Sequence, residues 1–272
     1  MYALDFEYDG KLLSDFGMMV CSFSDNKSAN IAGKGSEIKF NLVSSGYGKR
    51  YYAAGLQYEE CLTATFQICK NPDCFNEDQM GITVSEFRAL SRWLNRKDFL
   101  WFRNFDLHEP EIEKPWFRAS FNLARIETGS QTVGVELTMV TDSPFGYGDE
   151  EEIAVDFTVG NLTKTIIDRS DEDGEICPFT QITCSQAGDI TLSNILTGCE
   201  TEIKNCLSGE VITLSGESMI ISTSNTNHGL ANDFNYDFFR IGNTMNNRNN
   251  VITASAPCSV IIRYRPILKD TL

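Results

Sequence analysis

Apolar and polar positions alternate with period two through most of this chain. In "ALDFEYDG" Leu4, Phe6 and Tyr8 fall on one side and Asp5 and Glu7 on the other, and the run ends in Asp9-Gly10, a strong hairpin turn. "FGMMVCSFS" and "CLTATFQIC" are further strand candidates, and Gly33, Gly35, Gly46 and Gly48 punctuate long loops between them. The period changes once. In "GITVSEFRALSRWLNRKDFLWF" Thr83 as N-cap with Glu86 three residues on makes a capping box, and Phe87, Leu90, Trp93 and Leu94 recur at helical spacing. "DFLWFRNF", "WFRASFNLARIET" and "GVELTMVT" then return to strands, so the first half reads as a β domain with one docked helix.

The stretch "ELTMVTDSPFGYGDEEE" starts as a strand and stops, because Pro144 and Gly146 break the alternation and four acids follow at Asp149 to Glu152. Beyond it, "EIAVDFTV", "EICPFTQITC", "DITLSNIL", "EIKNCL", "EVITLSG", "SMIISTS", "FFRIG", "NVITAS" and "SVIIRYRPI" recur about every ten residues with Gly, Asn, Ser and Asp between them, and no helix pattern intervenes. That is a β-sandwich or jelly roll. The expected fold class is mainly β, in two domains.

Length and composition agree with this division. At 272 residues the chain exceeds the usual single domain of about 100 to 150 residues, and 42 % apolar residues let either half bury a core. No apolar run approaches the roughly 20 residues that span a bilayer, and Asp5, Glu7 and Asp9 stand where a signal peptide needs basic then apolar residues. The expectation is a chain made and folded in a cytosol, with no membrane anchor. Nine cysteines, an odd count at spacings such as Cys69 to Cys74, Cys177 to Cys184 and Cys199 to Cys206, match no regular disulfide or zinc framework and read as mostly buried, reduced core residues.

Charge removes one class of function. The net charge is −15, with 15 basic against 20 acidic residues up to position 148 and 8 against 18 after it. Neither half carries the basic footprint that phosphates require, so sequence-specific nucleic-acid binding is not expected.

Candidate chemistry is sparse. His108 with Glu109, Glu111 and Glu113 has no second His or Cys at ligand spacing and reads as a solvated loop. His228, near Ser222, Ser224, Asp233 and Asp237, supplies triad residue types without a nucleophile elbow and reads as turn chemistry. "DRSDEDGE" fails as an EF-hand, since Arg169 and Thr180 fall at its first and twelfth positions, and leaves only an irregular calcium site on Asp168, Asp171 and Asp173. "SSGYGKR" fails as a P-loop, with Val43 and Arg50 at its first Gly and its Ser/Thr positions. No catalytic, metal or cofactor-binding residue is assigned.

The order of the pieces resembles a known family. "FEYDG…LLSDFGMMV", a helix with "SRWL" followed by "FLWF", a strand ending in "ELTMVTDSPFGYG", then "ITLSGESMIISTSN" and "FNYDFFRIGNTMNNRNNVITA", are similar to the distal tail proteins of long-tailed siphophages. The resemblance implies an N-terminal belt domain, 1–146, that joins six copies into a ring at the tail tip, and a C-terminal galectin-like domain, 147–272, facing outward. It implies a virion protein that binds itself, the tail tube protein, a tail-associated lysin or hub protein, and receptor-binding or baseplate proteins, with DNA passing through the lumen. Trp93, Leu94 and Trp101 are the assembly candidates. The second half lacks the central Trp of true galectins, so glycan binding does not carry over. The alternative reading is a host cell-wall glycan-binding adhesion module.

Overall fold

The computed structural model describes residues 3–23, 32–33, 38–44, 50–58, 61–106 and 114–269. Gly35, Gly46 and Gly48, His108 with its neighbouring acids, and most of "SSGYGKR" lie outside the described residues. The chain divides into a first unit running to Gly148, which also takes Leu268, and a second from Asp149 to Ile267.

The first unit holds β1 (Ala3–Tyr8), β2 (Lys11–Leu12), β3 (Met18–Cys21), β4 (Ala32–Gly33), β5 (Ile38–Ser44), β6 (Tyr51–Tyr58), β7 (Thr63–Lys70), α1 (Val84–Leu94), β8 (Leu100–Asp106), β9 (Phe117–Thr128), β10 (Gln131–Thr141) and β11 (Gly146–Tyr147). Its main sheet runs β2-β1-β8-β9-β10-β7-β3, with β4 also on β7. The β1–β2 hairpin turns on Asp9 and Gly10 at φ 53° and 70°, the left-handed pair a tight two-residue turn demands. The inward positions carry Phe6, Tyr8, Phe66, Ile68, Phe102, Phe117, Phe121, Val135 and Leu137, all buried. The sheet curls until Phe6 on β1 meets Phe66 on β7, with β8, β9 and β10 between them in the sheet, at 5.8 Å between ring centres.

Helix α1 begins as the capping box dictates: Thr83 accepts from Glu86 N–H at 3.3 Å, and Glu86 accepts from Thr83 N–H at 2.7 Å. It buries Leu90, Trp93 and Leu94 on the sheet, with Phe87 packed at the edge. Glu86 also pairs at 2.8 Å with Lys70, a buried lysine on β7, which fastens the first turn to the sheet.

The second unit holds β12 (Glu151–Phe157), β13 (Thr163–Ile167), β14 (Gly174–Ile176), β15 (Phe179–Cys184), β16 (Gly188–Asn194), β17 (Cys199–Cys206), β18 (Val211–Ser215), β19 (Ile220–Thr223), α2 (Leu230–Asp233), β20 (Ile241–Asn243), β21 (Asn249–Ala254) and β22 (Cys258–Tyr264). A five-stranded sheet, β12-β22-β15-β18-β19, and a four-stranded sheet, β13-β21-β16-β17, share one core. Ile182, Ile212, Leu214, Val260 and Ile262 line it from one sheet, and Ile190, Leu192, Ile203 and Ile252 from the other. This is the antiparallel sandwich the alternation predicts. The single turn α2 is a feature the sequence pattern does not announce, because four residues are too few to show helical period.

Candidate functional site

The helix candidates Trp93 and Leu94 lie inside the first unit. Trp93 is 5 % exposed, stacks on Phe16 at 4.4 Å and on Phe6 at 5.8 Å between ring centres, and donates its indole N–H to Tyr8 O at 2.9 Å. Leu94 is fully buried. Both side chains are spent on holding α1 to the sheet. Trp101 differs. It lies on the face of β8 opposite Phe102, half-buried, with Trp116 and Tyr147 set edge-on at 6.5 and 5.5 Å. Arg118 covers Trp101 and Arg103 covers Trp116, at 5.9 and 5.2 Å. The mutual backbone bonds between Trp116 and Tyr147, 2.7 and 2.8 Å, bring the third ring to this cluster.

A region read from its glycines as loops is a hairpin. Strands β5 and β6 pair antiparallel from Ile38↔Tyr58 to Ser44↔Tyr51 and form a two-stranded sheet of their own. Every residue of β5 is exposed. Phe40, Leu42, Val43, Tyr51 and Tyr52 are each at least 55 % exposed. A two-stranded ribbon is marginal in water, and an exposed group of large apolar side chains marks a contact surface. The signal was present as the alternation Ile38, Phe40, Leu42, but the glycine-rich flanks outweigh it in a loop reading.

The second unit carries a polar cluster at His228. Its side chain is 2 % exposed, with Nδ1 2.6 Å from Glu210 Oε1 and Nε2 3.4 Å from Asp233 Oδ2. Both ring nitrogens face carboxylates rather than a serine, and Ser224 Oγ is engaged by Val211 N–H at 3.0 Å, so no Ser-His-Asp relay is assembled. Glu210 also accepts from Leu207 N–H at 2.7 Å and from the Thr223 hydroxyl. Burial works against its charge, but the bonds from Thr223, His228 and Leu207 outweigh burial and hold the carboxyl below the usual carboxylate range. For His228, burial works against protonation, and the hydrogen bond and charge of Glu210 overcome it to raise the imidazole. The cluster clamps the β17–β18 turn to the segment after β19. Glu210 escaped notice because its partner lies 18 residues on, at no motif spacing.

The acidic stretch after β13 is structural too. Asp168 is buried and accepts from Ser170 N–H at 3.1 Å and Ser170 Oγ at 2.9 Å. Asp171 and Asp173 do not join it: among the described residues no three His, Cys, Asp or Glu converge as a metal site would. Asn243 donates to Ser170 O at 2.7 Å and Glu172 O at 3.0 Å, pinning the stretch. Asn250, fully buried, accepts from Asn194 Nδ2 and Gly242 N–H at 2.7 Å each and donates to Gly242 O at 2.9 Å. The asparagines of "IGNTMNNRNN" thus satisfy backbone groups where strands leave the ladder.

Comparison with known proteins supplies what this geometry alone does not. Residues 1–143 match a family model described as a phage tail protein N-terminal domain, and residues 145–264 one described as a phage tail C-terminal domain. No curated protein matches the sequence. Among solved structures, the SPP1 Dit (gp 19.1) protein, described as a paradigm of the hub adsorption apparatus in phages infecting Gram-positive bacteria, superposes with a TM-score of 0.65 at 13 % identity, over 96 % of this chain and 98 % of that one. The likeness is one of fold along the whole length of both chains.

Proposed function

The chain belongs to the phage tail protein family whose N-terminal domain spans residues 1–143, and from that premise we propose that it is the ring-forming hub of a siphophage tail tip. It is a structural component of a phage tail. In the proposed assembly residues 1–146 form the belt of a six-copy ring and residues 147–272 a galectin-like domain facing outward. The ring joins the tail tube protein to the tail-associated lysin or hub protein and to receptor-binding or baseplate proteins, without enzymatic chemistry of its own.

The observation that carries the ring is the β5–β6 hairpin. Phe40, Leu42, Val43, Tyr51 and Tyr52 meet water in the single chain, and a second copy of this chain is the occupant that would cover them. Repetition of one such contact around an axis closes a ring. The half-buried Trp101 cluster is a second contact surface on the same unit. The adhesion reading needs a stacking platform for sugars, and Tyr236, 62 % exposed, is the one strongly exposed aromatic among the described residues of the second unit.

Light scattering on the full chain tests the ring. The expected particle has six times the monomer mass, and Phe40→Asp with Leu42→Asp reduces it to a monomer whose unfolding midpoint is unchanged. A wild-type chain that stays monomeric at every concentration, or a ring that survives both substitutions, overturns the assignment of the hairpin.

A further inference from the structure

Two cysteines of the second unit face each other across one rung of its five-stranded sheet. Cys184 ends β15 and Cys258 begins β22, and the antiparallel register sets them directly opposite, in line with the inward pairs Thr180↔Ile262 and Ile182↔Val260. Both are core residues, 2 % and 1 % exposed, and both are free thiols. The backbone bonds fix the kind of rung. Cys184 N–H donates to Glu210 O at 2.9 Å and Cys184 O accepts from Gly209 N–H at 2.8 Å, so both of its main-chain groups point away from β22; the neighbouring bond between the two strands is Ser185 N–H to Pro257 O at 3.2 Å. Cys184 and Cys258 are therefore a non-hydrogen-bonded pair, the type in which opposed Cα atoms lie about 4.5 Å apart and side chains come closest. A disulfide needs Cα atoms roughly 4.4 to 6.8 Å apart and side chains directed to one face. This rung meets both conditions. Two other buried thiols of this core are engaged elsewhere: Cys206 donates to Ile203 O at 3.5 Å and Lys204 O at 4.0 Å, and Cys199 accepts from Arg240 N–H at 3.3 Å.

We propose that Cys184 and Cys258 are a cross-strand disulfide-forming site, oxidised by a small-molecule disulfide of the glutathione class, whose closure locks β15 to β22 at one end of the sandwich. The Cys184 thiolate attacks the external disulfide, forming a mixed disulfide and expelling one thiolate. Cys258 loses its proton and attacks the Cys184 sulfur, expelling the second. Two protein thiols are oxidised to one S–S bond, one external disulfide is reduced, and the two protons end on the two released thiols. Cys258, pushed up to about 12 by burial, gives up its proton last and is the resolving thiol. The rung is the last of β15 and the first of β22, so fraying of the strand ends admits the reagent without unfolding the sandwich. Cys184 also holds the turn that carries Glu210, through Gly209 N–H and Glu210 O. Closure therefore fastens that turn as well as the two strands.

The test uses the reduced full chain in graded reduced and oxidised glutathione, equilibrated in the native state and, in parallel, refolded from guanidinium into the same series so that burial cannot hide the thiols. Remaining thiols are blocked with N-ethylmaleimide in denaturant, and linkages are assigned by peptide mass spectrometry. The expected product links Cys184 to Cys258 and leaves Cys206 labelled. Cys206→Ala keeps the linkage. Cys258→Ala stops the reaction half-way, with one glutathione held on Cys184. In the oxidised wild type, amide hydrogen exchange at Cys184 and Gly209 slows at least tenfold and recovers on reduction. Should Cys258→Ala not fold, the linkage map of the wild-type chain decides alone. Cys184 and Cys258 both labelled across the whole series in both arms, or Cys184 linked to Cys206, overturns the proposal.

Discussion

Trp93 and the Glu210–His228 pair each join segments distant in sequence. Trp93→Ala removes two ring stacks and the donor to Tyr8 O, and is expected to cost about 3 to 5 kcal/mol by denaturant unfolding. Trp93→Phe keeps a stacking ring but orphans the carbonyl, and should cost about 1 to 3 kcal/mol. Equal costs for the two would mean that the indole N–H contributes nothing. The Glu210–His228 pair makes a pH prediction. His228 is raised, so its contribution is full below about pH 6.5 and fades as pH rises through its folded value. Glu210 is lowered, so its contribution is full above about pH 4.3 and fades as pH falls through its folded value. The two overlap between those limits, and the second unit should be most stable there. Glu210→Gln takes the carboxylate from Nδ1 and leaves the buried imidazolium facing Asp233 alone, 3.4 Å from Nε2; it should cost about 3 kcal/mol near pH 5.5 and flatten the maximum. A thermal midpoint with the same pH profile in wild type and variant would refute the coupling.

At the scale of elements, the mechanical consequence of sequence is clearest at the boundary between the units. Asp149 and Glu150 are exposed and outside any strand, whereas β12 is laddered to β22 from Glu151 onward. Limited proteolysis of the native chain is expected to cut first near 149–150, or in the 158–161 turn, and to leave two folded products; first cuts within β9 or β15 would contradict this. What was legible beforehand follows the same logic of local against long-range information. Period and caps are local, so α1 with its Thr83–Glu86 box and the strands carrying Phe6, Phe66, Leu137 and Ile212 could be read from sequence. The β5–β6 hairpin runs against the loop expectation because the large side chains of β5 and the start of β6 face solvent in the single chain, with Tyr58 at the far end set edge-on to Phe145 at 4.5 Å, and the flanking glycines then dominate the pattern. The His228 clamp was illegible because Glu210 and His228 come from different loops, and only the folded sandwich brings them together. Trp93 and Trp101 look alike in sequence; only the structure separates a ring inside the core from one on the outer face of β8.

At the scale of the whole molecule, charge opposes the proposed assembly. Six copies of a chain at −15 bring about −90 into one particle, and the contacts proposed to hold it are apolar and aromatic: Phe40, Leu42, Val43, Tyr51 and Tyr52 on the hairpin. The first 148 residues, which carry the hairpin, contribute the smaller share, 15 basic against 20 acidic residues. The screening length falls from about 30 Å at 0.01 M salt to about 8 Å at 0.15 M, so repulsion between neighbouring copies weakens steeply over that range while apolar burial is little changed. Hexamers of the full chain are therefore expected to tighten with added salt, read by light scattering as a falling concentration at half-assembly. Tightening that persists in Phe40→Asp with Leu42→Asp would place the adhesive surface elsewhere on the unit, with the Trp101 cluster the next candidate. Dissociation with added salt would instead mean that ion pairs across the interface, not the hairpin's apolar side chains, hold neighbouring copies together.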